Sequence, residues 1–192
     1  MNQFLESSDF LQTIADEAQK VDAAAKDLVA GLTDEQLNWT PAADSWSIAQ
    51  CLEHLAVTNE KCDQGLARAI ARGRDKQPAS GAVAYRPTIL GDWLIKQLLP
   101  AATRKMPAPR IFRPSESTAI DGALERFLEQ QEKFLGFVSE ARGINYNRTR
   151  LRSPVTPFMR YSLADALVMT VVHGQRHLAQ ARRVREAAGF PN

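Results

Sequence analysis

Six of the ten prolines (Pro78, Pro87, Pro100, Pro107, Pro109 and Pro114) fall in one stretch, and this crowding constrains the fold more than any other feature. Proline lacks an N–H and fixes φ, so neither a long helix nor a central strand can run through that stretch. On both sides of it the apolar residues keep a three-four spacing, which marks helices with one buried face. Phe4, Leu11, Ile14, Ala18, Val21, Ala25, Leu28 and Leu32 predict a first helix over about 3–31, stopped at Gly31. Pro41 makes TDEQLNWTPAAD a loop, after which Asp44 or Ser45 can cap a second helix over 45–73, ending at Gly73. Its buried stripe is Ile48, Cys51, Leu55, Thr58 or Asn59, Cys62, Leu66 and Ala69. A third helix is expected over 117–141, with Ile120, Leu124, Phe127, Phe134 and Val138 on one face. A fourth is expected over 161–188, opened by a capping box of Ser162 and Asp165 and closed by Gly189 and Pro191. Within the crossover, 74–116, only TILGDWLIKQLL (88–99) has the pattern of a short amphipathic helix.

With no convincing strand, the chain reads as an all-α four-helix bundle, one domain over 1–192. The Pro-rich crossover is long enough to traverse the bundle, so the second and third helices need not be antiparallel neighbours. A connection of this length has a job or wraps the surface. The formal net charge of +2 gives no global reason to expect nucleic acid. Arg142, Arg148, Arg150, Arg152 and Arg160 form a basic stretch, with Arg182, Arg183 and Arg185 near the end, that reads as solvated surface and helix C-terminal cations in preference to a phosphate or nucleic-acid site. The start, MNQFLESSDFLQ, lacks the basic and apolar regions of a signal peptide. No apolar run approaches the roughly 18 residues of a membrane span. Cys51 and Cys62 on one helix would lie about 16 Å apart, too far for a disulfide. Reduced cysteines, a cytoplasmic location, a small-molecule substrate and no membrane partner are the expectations, and a homodimer is compatible with them.

The chain has three histidines, His54, His173 and His177. His173 and His177 are four apart on the fourth helix and share a face. At about 100° per residue both sit at an edge of that helix's apolar face, with Gln180 beside them. His54 lies beside the stripe of the second helix, on the side of Cys51, Ser47 and Thr58. Three imidazoles plus a water make the ligand set of an open metal site. Three half-buried histidines bonded to carbonyls fit the same spacing. Gly174 after the first histidine excludes the H-E-x-x-H protease motif. Thr58 and Gln180 are candidates to line such a site, against readings as a packing hydroxyl and a surface glutamine. Trp93 can wall the site or simply pack over the bundle. Cys51 as a fourth ligand would close the site, but it continues the apolar stripe and reads as a core thiol. No carboxylate is placed as a general base, and Glu53 and Glu60 are expected to face solvent.

The string WSIAQCLEHL (Trp46 to Leu55), followed much later by HGQRHLAQ (His173 to Gln180), resembles the DinB/YfiT-like superfamily, as does the crossover with LGDWLIKQLL and KMPAPRIFRP. The resemblance spans nearly the whole chain. It implies a four-helix bundle in up-down-down-up order with a long crossover between the second and third helices. It also implies a divalent metal, zinc or nickel-like, held by His54, His173 and His177. Members of that superfamily include S-transferases that use low-molecular-weight thiols such as bacillithiol or mycothiol, a thiol-dependent maleylpyruvate isomerase, and metal-dependent hydrolases. The implied function is a metal-dependent enzyme that activates a thiol, as cosubstrate, or water. The alternative is a non-catalytic metal-binding or stress-associated bundle. No residue selects one reaction, and no catalytic residue is assigned.

Overall fold

The computed structural model describes residues 1–101, 107–115, 121–156 and 158–191. In chain order its elements are α1 (Asn2–Leu5), α2 (Phe10–Val29), α3 (Asp34–Asn38), α4 (Ile48–Lys76), α5 (Ile89–Leu98), a 3-10 turn (Arg110–Phe112), α6 (Ala123–Glu140), β1 (Arg150–Arg152), β2 (Arg160–Ser162) and α7 (Leu163–Arg185). The bundle consists of α2, α4, α6 and α7, with α6 and α7 each packed between the other two. Side-chain pairs give the directions. Glu53 meets Arg126 and Arg74 meets Glu140, so α4 and α6 run parallel. Glu17 meets Gln175 and Arg185 donates to the Leu28 carbonyl, so α2 and α7 run parallel. Asp22 meets Gln131 while Gln12 meets Arg142, so these two pairs are opposed. The order is up-down-down-up, and α4 lies directly beside α7.

Local chemistry sets the boundaries, and several differ from expectation. The first helix is two: the Asp9 carboxylate caps α2 by accepting from Gln12 N–H, and α1 is a separate turn that buries Phe4. Ser and Asp bond their own backbone outside helices, which breaks the run there. The loop predicted after α2 contains α3, opened by a capping box of Thr33 and Gln36. Neither Asp44 nor Ser45 caps α4; Ser47 does, reciprocally with Gln50. Gly73 does not stop that helix. It is buried inside it, facing Ile144 and Thr149, and the helix runs on to Lys76. The third helix starts at Ala123, after Gly122 in the left-handed conformation (φ 62°). The predicted start over 117–120, with Ile120, lies outside the described residues. The fourth helix is shorter at its C-terminus than expected, but its Ser162–Asp165 capping box is present.

The expectation of no strand also needs correction. β1 and β2 form a short antiparallel ladder in which Leu151 pairs with Tyr161, both buried. Three-residue strands flanked by arginines carry too little periodicity to be read from sequence.

The crossover is strapped to α7 at both ends of α5. Asp165 is fully buried and accepts from the Tyr85 hydroxyl (2.9 Å), the Thr88 hydroxyl (2.8 Å) and the Ser162 N–H (3.0 Å). Arg176 donates to the Leu99 carbonyl at 2.9 Å. Gly91 makes this approach possible, because a Cβ there would sit 2.2 Å from Cγ of Asp165. The apolar interior forms two clusters. One surrounds Ile14, Ile70, Ile95 and Leu167; the other surrounds Ile48, Leu52, Leu55 and Ala181. Each fully buried Leu, Ile or Phe contributes about 2 kcal/mol. Among the described residues no helix is long and apolar enough to cross a membrane.

Candidate metal centre

The second apolar cluster forms the base for the three histidines. Antiparallel packing of α4 on α7 sets the N-terminal part of α4 against the C-terminal half of α7. His54 therefore faces His173 and His177. One ring nitrogen from each lies within 4.8 Å of the others, and Nε2 of His54 is 3.2 Å from Nε2 of His173. Ligand nitrogens in a tetrahedral site with metal–nitrogen bonds of about 2.1 Å lie about 3.4 Å apart, so the spacing fits a single ion. Gly174 lets α7 come this close to the bundle: a Cβ there would lie 2.9 Å from Val21 Cγ1. The glutamate of an H-E-x-x-H motif would not fit at this position.

Hydrogen bonding orients the rings. Nδ1 of His54 lies 2.6 Å from the Phe112 carbonyl, which can only accept, so Nδ1 carries the proton and Nε2 presents its lone pair to the cluster. The next residue back, Glu53, accepts from Ser115 N–H at 2.8 Å and pairs with Arg126, so two adjacent side chains of α4 hold the crossover in place. Glu53 is therefore not solvent-facing as expected; Glu60 is exposed. Trp46 packs on the cluster, 4.7 Å from the His54 ring and 5.7 Å from the His177 ring.

The surroundings hold the imidazoles neutral. Burial pushes His54 below its ordinary pKa and His173 well below, since protonating His173 would also set it against His177, His54 and Arg176. Burial, with His54 and Arg176, pushes His177 down to about 3. Nδ1 of His177 is buried without a hydrogen-bond partner in the protein. Three neutral imidazoles, one with an orphaned buried nitrogen, are a donor set that suits a divalent cation. The carbonyl-bonded reading of the sequence holds for one nitrogen of His54, while its other nitrogen faces the cluster.

The histidines lie in the wall of a cavity of about 1330 Å³. Thr58, Gln180 and Trp93 all border it. The Thr58 hydroxyl oxygen is buried and has no partner in the protein. Trp93 is half exposed, so α5 forms part of the wall as well as packing on the bundle. Among the described residues of that wall, Asp44 is the only carboxylate. Cys51 is fully buried in the apolar cluster, with its thiol pushed up to about 12 by burial, and is a core residue. Cys62 borders the cavity, but burial pushes its thiol up to about 11.

Sequence reasoning missed the Phe112 carbonyl and the packing of Trp46. Nothing marks a particular main-chain oxygen in advance. Trp46 immediately precedes the Ser47 cap, which fixes where the chain enters α4, and this was a usable signal.

The comparisons agree with this geometry. The sequence profile of the DinB superfamily matches residues 17–181. The uncharacterized protein YuaE of Bacillus subtilis (strain 168) is 24% identical over 157 residues, which is 81% of this chain and 87% of that protein. The solved structure of YfiT from Bacillus subtilis, described as a probable metal-dependent hydrolase with an unusual four-helix bundle topology, superposes with a TM-score of 0.59. It is 18% identical and the match covers 96% of this chain and 91% of that one, so the likeness is one of fold. The match to the family profile runs from within α2 almost to the end of α7, and the chain belongs to the DinB superfamily.

Proposed function

We propose that the protein is a metal-dependent enzyme in which His54, His173 and His177 hold a divalent metal, zinc or nickel, for reaction of a small electrophilic substrate with water or a thiol. The observation that carries this reading is the convergence of three imidazoles, within 4.8 Å, on the wall of a large cavity. Neutral imidazoles suit these metals, and three of them leave the ion its full charge. When bound, such a metal supplies a Lewis acid that lowers the pKa of a water or thiol toward neutrality.

The chain's own residues then have distinct tasks. Phe112, through its carbonyl, keeps the His54 Nε2 lone pair aimed inward, the orienting role that outer partners of metal-binding histidines play. Trp46 covers the His54 and His177 rings and excludes water from that side. The unpartnered Thr58 hydroxyl and the Gln180 amide on the cavity wall offer polar contacts to a substrate. Cys51 is buried away from the cavity wall, and at Cys62 burial pushes the thiol up, so neither is set up as a nucleophile. In this reading the nucleophile is water or a thiol brought in as cosubstrate.

Metal analysis of protein produced without a His-tag tests the site. Wild type should carry close to one divalent ion per chain, and His54→Ala, His173→Ala and His177→Ala should each lose it. Equal metal in wild type and variants would sink the proposal. A panel of low-molecular-weight thiols with monochlorobimane, run beside a panel of activated esters and amides, separates thiol transfer from hydrolysis. Turnover on either panel should disappear in His173→Ala.

A further inference from the structure

A second cleft is lined by seven cations and, among the described residues, by no carboxylate. It measures about 600 Å³ and lies between α4 and the hairpin. Arg68, Arg72 and Lys76 stand four apart along α4 and so form one stripe. On the hairpin, Leu151 and Tyr161 turn into the core, which leaves Arg150, Arg152 and Arg160 on the exposed side. Arg148 precedes them at the same cleft.

This arrangement costs stability unless something offsets it. The ladder sets Arg152 directly opposite Arg160, and like charges directly opposite each other in a sheet repel. Like charges four apart on a helix do the same. Arg72 donates to the Arg150 carbonyl at 2.9 Å, which fixes the hairpin's arginines beside the helix stripe. Among the described residues, none of the seven is ion-paired with a carboxylate. The α4 dipole accounts for a cation at Lys76, in the last turn, but not for Arg68 or for the hairpin arginines. With a formal charge of only +2 on the whole chain, seven cations in one cleft are a local surplus.

We propose that this cleft is a binding site for a small ligand bearing a polyphosphate group. Guanidinium forks match phosphate oxygens bidentately, and several cations lining one concavity suit an anion with several charges. The dimensions suit a small molecule, and the low net charge argues against a nucleic-acid track. The site is separate from the histidines, although Arg68 and Arg152 border both the cleft and the larger cavity. A bound polyphosphate therefore sits at the rim of that cavity.

Calorimetric titration with inorganic tripolyphosphate tests the site, with pyrophosphate and citrate for comparison. The titration uses both wild type and His54→Ala, because the anion also chelates metal ions. One tripolyphosphate should bind per chain in both proteins, more tightly than pyrophosphate or citrate, and more weakly as salt is raised. Combined Arg150→Gln, Arg152→Gln and Arg160→Gln changes should weaken binding by at least about tenfold, the scale of losing charge-assisted hydrogen bonds. Arg68→Gln with Arg72→Gln should do likewise, which keeps the test valid if the hairpin variant misfolds. Removing three cations elsewhere (Lys20→Gln, Lys26→Gln, Arg182→Gln) should leave binding intact. Equal loss in that control, undiminished binding in both cleft variants, or tighter binding of single-stranded RNA than of tripolyphosphate would overturn the proposal. Loss of metal in His54→Ala with tripolyphosphate binding retained would leave the two sites independently established.

Discussion

Helix α7 carries two buried polar clusters, and they are built on opposite terms. At its N-terminus Asp165 is fully buried, and its carboxylate accepts from Tyr85, Thr88 and Ser162. Further along, His173 and His177 meet His54, and that end of the cavity holds a partnerless Nδ1 on His177 and a partnerless Thr58 hydroxyl. Polar groups buried in a protein are normally paired, because leaving one unpaired costs about 1–3 kcal/mol. A saturated cluster serves the fold. An unsaturated cluster on a cavity wall leaves polar atoms open to a ligand or to water. The first cluster straps the crossover to the bundle, and the second is where that crossover, through Phe112, meets the proposed metal site.

If that contrast is right, changes at the two clusters should separate stability from metal binding. Asp165→Ala strands three donors in the interior and should cost at least about 3 kcal/mol by denaturant unfolding, since each buried donor left unpaired costs about 1–3 kcal/mol. If the variant unfolds within about 1 kcal/mol of wild type, the satisfied cluster is not the strap described. His173→Ala should behave oppositely. Metal affinity should fall by more than about 100-fold, exceeding the effect expected of an outer-shell partner, while the metal-free protein stays folded. An apo-protein that unfolds on chelation would erase the contrast and favour a structural ion.

Gly91→Ala should destabilise by about 2 kcal/mol, the scale of overpacking, because the added methyl collides with the Asp165 carboxylate. Its metal content at low temperature should match wild type; a loss there would mean that the crossover and the histidines are mechanically coupled. The smallest effect on stability is expected for Thr58→Val, within about 0.5 kcal/mol, since it removes a hydroxyl with no partner in the protein. Its signature should instead be a raised KM or lowered kcat on whichever substrate panel gives turnover. Unchanged kinetics would return Thr58 to a packing role.

The helical architecture was legible because a buried helix face imposes a three-four spacing that no other structure tolerates, and α2, α4, α6 and α7 all show it. Boundaries were less legible, because caps are local competitions. Ser47 won over Asp44 and Ser45 only because Gln50 stands three residues beyond it to complete the box. The hairpin was illegible, since its three-residue strands are held by Leu151 and Tyr161 entering a core whose shape other helices define. Glu53 was misread as solvent-facing because a helical wheel sees one helix and not the crossover lying across it.

The sequence by itself determined which side chains can ligate: three histidines, two sharing one helical face, with Gly174 where a protease glutamate would stand. It also determined that no long helix or central strand can run through the Pro-rich stretch, which is long enough to traverse the bundle. The family resemblance implied the up-down-down-up order, and the tertiary structure set α4 antiparallel beside α7 at the distance that brings His54 within 3.2 Å of His173. The same packing chose the His54 tautomer through the Phe112 carbonyl and gathered arginines from a helix and a hairpin into one cleft. Periodicity is a property of neighbouring residues and is written in the chain. Distances between residues 54 and 173, or 72 and 150, depend on how whole helices pack, and no local pattern encodes them.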